Sequence, residues 1–102
     1  MAAKALADAA RAGDLLALAD AASDADADTL NGGGHGRWPP LHVAILYNSA
    51  ACAEDLVRRG ASPVLPAAGG MTPLQLAADA GWPNLIALMI ESIYQLSGWA
   101  WA

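Results

Sequence analysis

Apolar positions along the chain recur at helical rather than strand spacing, and glycine, asparagine and proline mark the breaks between runs. In residues 2–12, Leu6, Ala9 and Ala10 fall on one side, with Lys4, Asp8 and Arg11 largely on another, which predicts an amphipathic helix. Gly13-Asp14 stops that helix and starts the next, which runs from about Leu15 to Ala22 with Leu15, Leu18 and Ala22 at helical spacing. Residues 23–37 carry neither periodicity and read as a long exposed connection, mobile near Gly32-Gly33-Gly34. Proline suits a first helical turn, so a helix is predicted from Pro40 to Tyr47. Asn48-Ser49 makes a turn, residues 50–59 return as a helix, and Gly60 ends it. A projecting loop, 61–70, is stiffened by Pro63 and Pro66. Thr72-Pro73 opens another helix, Gly81 closes it, and Pro83 or Asn84 starts the last.

Two of these passes superimpose at a constant offset. Pro40-Leu41 recurs as Pro73-Leu74, 33 residues later, and the same offset aligns Trp38 with Met71, His42 with Gln75, Ala44 with Ala77 and Leu56 with Met89. A period of this length marks stacked units, each burying its apolar face against its neighbour.

The residues at those positions resemble the ankyrin repeat family. Gly70-Met71-Thr72-Pro73-Leu74-Gln75-Leu76-Ala77-Ala78, Gly81-Trp82 and Leu85-Ile86-Ala87-Leu88-Met89-Ile90 follow its pattern in one unit; Pro40-Leu41-His42-Val43-Ala44 and Leu56-Val57-Arg58-Arg59-Gly60-Ala61-Ser62 follow it in another. Ala9-Ala10-Arg11-Ala12-Gly13-Asp14-Leu15 is similar to a degenerate first repeat. The resemblance implies an all-α ankyrin-repeat solenoid of antiparallel helix pairs joined by projecting loops. It would form one domain over 1–102: a degenerate repeat and acidic loop (1–31), a second repeat (38–70), and a third with an extended apolar C-terminal helix or tail (71–102). Pro39 stands where the family has threonine and Gln75 where it has histidine, so the family's hydroxyl-to-imidazole hydrogen bond is expected in neither unit. Asn48 replaces the turn glycine, and 35 residues rather than 33 separate Ala9 from Ala44.

Composition narrows the function. Hydrophobic residues make up 56% of the chain, much of it alanine, which favours helix and close packing while burying little area per residue. A net charge of −5 and a pI near 4.5 oppose direct nucleic-acid binding. Arg58-Arg59 falls at a helix end, where the dipole already accounts for it. Cys52, the one cysteine, fits a reducing compartment, and no signal peptide is evident. Leu85–Ile90 is stopped by Glu91, well short of the ~20 residues a bilayer requires. The expectation is a cytoplasmic protein that does not engage membranes.

Asp24, Asp26 and Asp28 resemble the start of a calcium loop, but Thr29 stands where that loop needs glycine and His35 where it needs glutamate, so a solvated acidic loop is the reading. Gly32 to Gly36 lacks the preceding strand and following lysine of a phosphate cradle. His35, His42 and Cys52 cannot complete a zinc site alone. His42 occupies the family's structural histidine position, and Cys52 falls at an inward helix position, where a buried inert thiol is expected. No catalytic constellation, cofactor site or metal site is expected.

What the resemblance does imply is a concave surface. Carried over position by position, it holds Trp38, Leu46, Tyr47 and Ser49 in the second unit, and Met71, Asp79, Ala80 and Trp82 in the third. Clustered large apolar side chains mark recognition surfaces. Trp38, Leu46, Tyr47, Met71, Asp79 and Trp82 are therefore the expected partner-binding set. The leading expectation is a non-catalytic module that binds another protein, leaning towards a small stoichiometric inhibitor of antitoxin, immunity or phage anti-defence type. The alternative is a self-assembling protein, a homodimer for example, in which Ile93, Tyr94, Trp99 and Trp101 of the apolar tail dock on another subunit instead of folding back as a cap on their own array.

Overall fold

Each unit turns its chain with the same local device. Gly13 (φ +71°), Asn48 (φ +59°) and Gly81 (φ +75°) adopt the left-handed backbone, and the next amide closes back on the preceding helix. The three closing bonds are Asp14 N–H to Ala9 O at 3.0 Å, Ser49 N–H to Ala44 O at 2.7 Å and Trp82 N–H to Ala77 O at 3.2 Å. Glycine enters this region freely, and asparagine is among the few side chains that tolerate it. The repeated turn makes each unit an antiparallel helix pair.

The computed structural model describes residues 2–23, 30–31 and 38–96. The helices are α1 (Ala2–Ala12), α2 (Leu15–Ala22), α3 (Pro40–Leu46), α4 (Ala50–Arg58), α5 (Pro73–Ala80) and α6 (Pro83–Leu96), with a short 3-10 turn at Ala68–Gly70. No strand occurs among the described residues. The first helices α1, α3 and α5 pack in succession, as do the second helices α2, α4 and α6. The fold is thus a two-layered helical solenoid.

The core threads between the layers. Leu6, Leu18, Leu41, Leu56, Leu85 and Met89 are essentially inaccessible, interleaved with Ala10, Ala44, Ala53 and Ala77. The alanines let the helices approach closely, and the large residues supply most of the burial. One buried polar tie joins the first two units: the Ser49 hydroxyl donates to the Ala10 carbonyl at 2.7 Å.

Capping differs from what the departures in sequence suggest. Gln75 takes over the histidine's role at the start of α5: its amide donates to the Thr72 hydroxyl, and its side-chain oxygen accepts from the Thr72 amide at 3.0 Å. This reciprocal cap satisfies two otherwise orphaned donors. No such cap exists at Pro39, which begins α3 without a side-chain hydrogen bond.

Two expectations are corrected. Leu15 is 42% exposed instead of sharing the inward face; the stripe of α2 that meets α1 and α4 is centred on Leu18 and Ala22, and the first-turn leucine lies at its margin. The predicted exposed connection contains a core residue, Leu30, which is 3% exposed. Leu30 and Asn31 are helical, and the Asn31 side-chain oxygen accepts from the Ser62 amide at 2.6 Å, fastening this short piece to the next loop. Asp24, Asp26, Asp28, Gly32 to Gly36 and His35 lie outside the described residues.

Candidate functional site

The first helices of the first two units leave a groove between them of about 550 Å³. Ala7, Asp8 and Arg11 of α1 form one wall, Val43, Leu46 and Tyr47 of α3 with its capping residue form the other, and Trp38 closes it. Leu46 is 49% exposed and Tyr47 55%, because α3 is short and both fall at its C-terminal end, beyond the buried run Pro40 to Ile45. Arg11 places its guanidinium 5.8 Å from the centre of the Tyr47 ring and pairs with Asp8 at 3.3 Å. A cation over the ring face holds the tyrosine in a defined pose.

Trp38 is half-buried against the core and meets the His42 ring edge-on, with centroids 5.6 Å apart and planes at 80°. His42 is wholly buried. Its Nε2 donates to the Met71 carbonyl at 3.0 Å, spanning from the second unit to the third, while Nδ1 has no hydrogen-bond partner. Burial holds its pKa below the usual 6.5, although the backbone carbonyls of Met71 and Leu65 pull the other way.

Of the six residues expected at the partner face, the groove brings together Trp38, Leu46 and Tyr47. Met71 and Trp82 do not line it; both are half-buried and packed against the core. Asp79 is exposed on α5, away from the groove lining. Arg11 and Asp8 were hidden by their charge, which reads as a solvated helix face. The 35-residue offset between the first two units held the signal, since it aligns Asp8 with Val43 and Arg11 with Leu46.

Elsewhere, Ile93 is half-buried and Tyr94 is 53% exposed on α6, whereas Trp99 and Trp101 lie outside the described residues. The Cys52 thiol is buried, and burial, followed by the charges of Asp55 and Asp14, pushes its pKa up. It stays protonated at neutral pH and is a poor nucleophile. Among the described residues no three His, Cys, Asp or Glu side chains converge on a metal-sized site, and no helix is long and apolar enough to cross a membrane.

The ankyrin repeat family model matches residues 37–66, the segment that carries Trp38, α3, the Asn48 turn and α4. Human 2-5A-dependent ribonuclease is 48% identical over 46 residues, covering 45% of this chain and 6% of that protein. Human ARF GTPase-activating protein GIT1 is 40% identical over 58 residues, covering 57% and 8%. Rat NF-kappa-B inhibitor alpha is 36% identical over 53 residues, covering 52% and 17%. The chain thus corresponds to a small part of each relative. Over residues 37–66 the chain matches the ankyrin repeat family, and the paired helices and left-handed turn described above are consistent with that match.

Proposed function

We propose that this chain is a non-catalytic binding module that grips a partner protein in the groove between α1 and α3, acting in the cytoplasm as a small stoichiometric inhibitor of the antitoxin, immunity or phage anti-defence kind. The groove carries this reading, because it presents an exposed leucine and a clamped tyrosine beside one another. Large, preoriented apolar side chains bind at low entropic cost. The name of NF-kappa-B inhibitor alpha, a relative over half of this chain, describes an inhibitor. In this reading the array comprises three units, 1–31, 38–70 and 71–102.

Charge selects the partner's rim. Arg11, Arg58 and Arg59 each pair with a carboxylate about one turn back along the chain, at 3.3, 3.7 and 2.6 Å, while Asp20, Asp79 and Glu91 add negative charge on exposed positions. A partner with basic residues around an apolar anchor fits such a surface and would associate faster at low salt. Met71, Asp79 and Trp82 belong to this reading as an outer rim. Affinity capture with wild type and with Leu46→Lys tests it. The lysine falls at the C-terminus of α3, where the helix dipole tolerates a cation, so the fold should survive. Capture of the wild-type partner should be lost, and undiminished capture would remove the groove from consideration.

Self-assembly is the second reading, favoured by the outward side of α6, where Ala87, Ile90 and Tyr94 are exposed at helical spacing. Ile93, Tyr94, Trp99 and Trp101 would then meet another copy. Light scattering on dilution should show a dimer that dissociates, and one lost on deleting residues 97–102. A monomer at every concentration counts against it.

A further inference from the structure

The third helical position of α5 and of α3 is handled in opposite ways. In α5 the residue there, Gln75, is answered by the Thr72 cap. In α3 it is His42, and the capping position holds Pro39, which offers no hydroxyl. The Met71 oxygen can only accept, so the bond at 3.0 Å fixes the neutral ring with its proton on Nε2. Nδ1 then carries only a lone pair, and leaving a neutral acceptor unmet costs less than leaving a charged N–H unmet. Protonation would place an N–H and a positive charge at that atom, which makes no hydrogen bond and is sealed from solvent; the Leu65 carbonyl favours the charged ring, but burial outweighs it.

We infer that the joint between α3 and the loop at Met71 is proton-sensitive: a neutral His42 ring holds the second unit to the third and holds Trp38 against the groove, and charging the buried ring weakens that joint. The stability of the joint stands on the His42 geometry alone, and its consequence for binding rests on the groove reading above.

Charged and titratable groups on the packed helices do not supply the missing acceptor. On α1, Asp8 pairs with Arg11. On α4, Glu54 and Asp55 pair with Arg58 and Arg59, and the Cys52 thiol stays protonated. Asp79 of α5 is exposed. Desolvation outweighs the two backbone carbonyls, so the folded-state pKa of His42 lies below the unfolded value of 6.5. Between those two values the unfolded chain binds more protons than the folded one. Stability is therefore complete above about pH 7.5, declines as pH falls towards the folded value, and levels off below it.

The test is urea unfolding at pH 7.5 and 5.5 in a His35→Gln background, which removes the other histidine. The folding equilibrium constant should fall severalfold at the lower pH. His42→Gln, which keeps a donor for the Met71 carbonyl without a titrating ring, should flatten that response. An undiminished response in His42→Gln would overturn the inference. NMR titration of the folded protein supplies a readout that needs no variant. The His42 ring should resist protonation below pH 6.5, and the Trp38 indole resonance should move with it. A ring that titrates at or above 6.5, or a Trp38 signal that ignores it, would equally overturn it.

Discussion

Leu56→Ala should lose about 3–5 kcal/mol of folding stability, enough to leave much of the protein unfolded in mild urea at 25 °C. Leu56 lies wholly buried on α4, the middle second-layer helix, which packs on α2, α3 and α6. Shortening it removes burial from the centre of the stack. The surrounding core is also poorly placed to collapse into the space, because buried alanines such as Ala53, one turn back on α4, already let backbones approach closely. Folding stability of a domain this size is about 5–15 kcal/mol, and a short Ala-rich array has few other large side chains to share the loss. Leu16→Ala is the matched control: at 85% exposure it should shift the midpoint by no more than about 0.5 kcal/mol. Urea unfolding followed by circular dichroism compares the two. A Leu56→Ala midpoint close to wild type would mean that the layers do not share one core.

Some of this architecture was legible because it is written in backbone chemistry. Gly13, Asn48 and Gly81 are residues that accept positive φ, and all three hold the same turn. The Pro40 and Pro73 starts read equally directly, since proline belongs in a first helical turn. Burial decided by distant partners was harder to see. Leu30 follows an Asp-rich run that lowers the local hydropathy, and only its place in the core, beside the Asn31–Ser62 hydrogen bond, reveals it. The same limit applies at the site. Trp38 and Met71 were expected at an open face, but His42 meets the ring of one and the carbonyl of the other, drawing both towards the core. Arg11 was missed for the opposite reason, since charge in an otherwise solvated stripe gives no hint that a tyrosine from the next unit lies beneath it.

That tyrosine should carry the largest share of any affinity the groove has. Tyr47→Ala should weaken binding of the partner captured by wild type by about 30-fold, equivalent to about 2 kcal/mol, as expected for an anchor at the centre of an interface. The fold should barely respond, because the ring is 55% exposed and the residue follows the last turn of α3; its thermal midpoint should stay near wild type. Arg11→Ala should cost less, about 0.5–1 kcal/mol, since it removes the cation that holds the ring while leaving the ring itself. Because the two groups act together, the double variant should lose less than the sum of the single losses. Titration calorimetry on the four proteins measures both the anchor and the clamp. Additive losses would place Arg11 in direct contact with the partner. A Tyr47→Ala affinity within about threefold of wild type would move the interface away from the groove between α1 and α3.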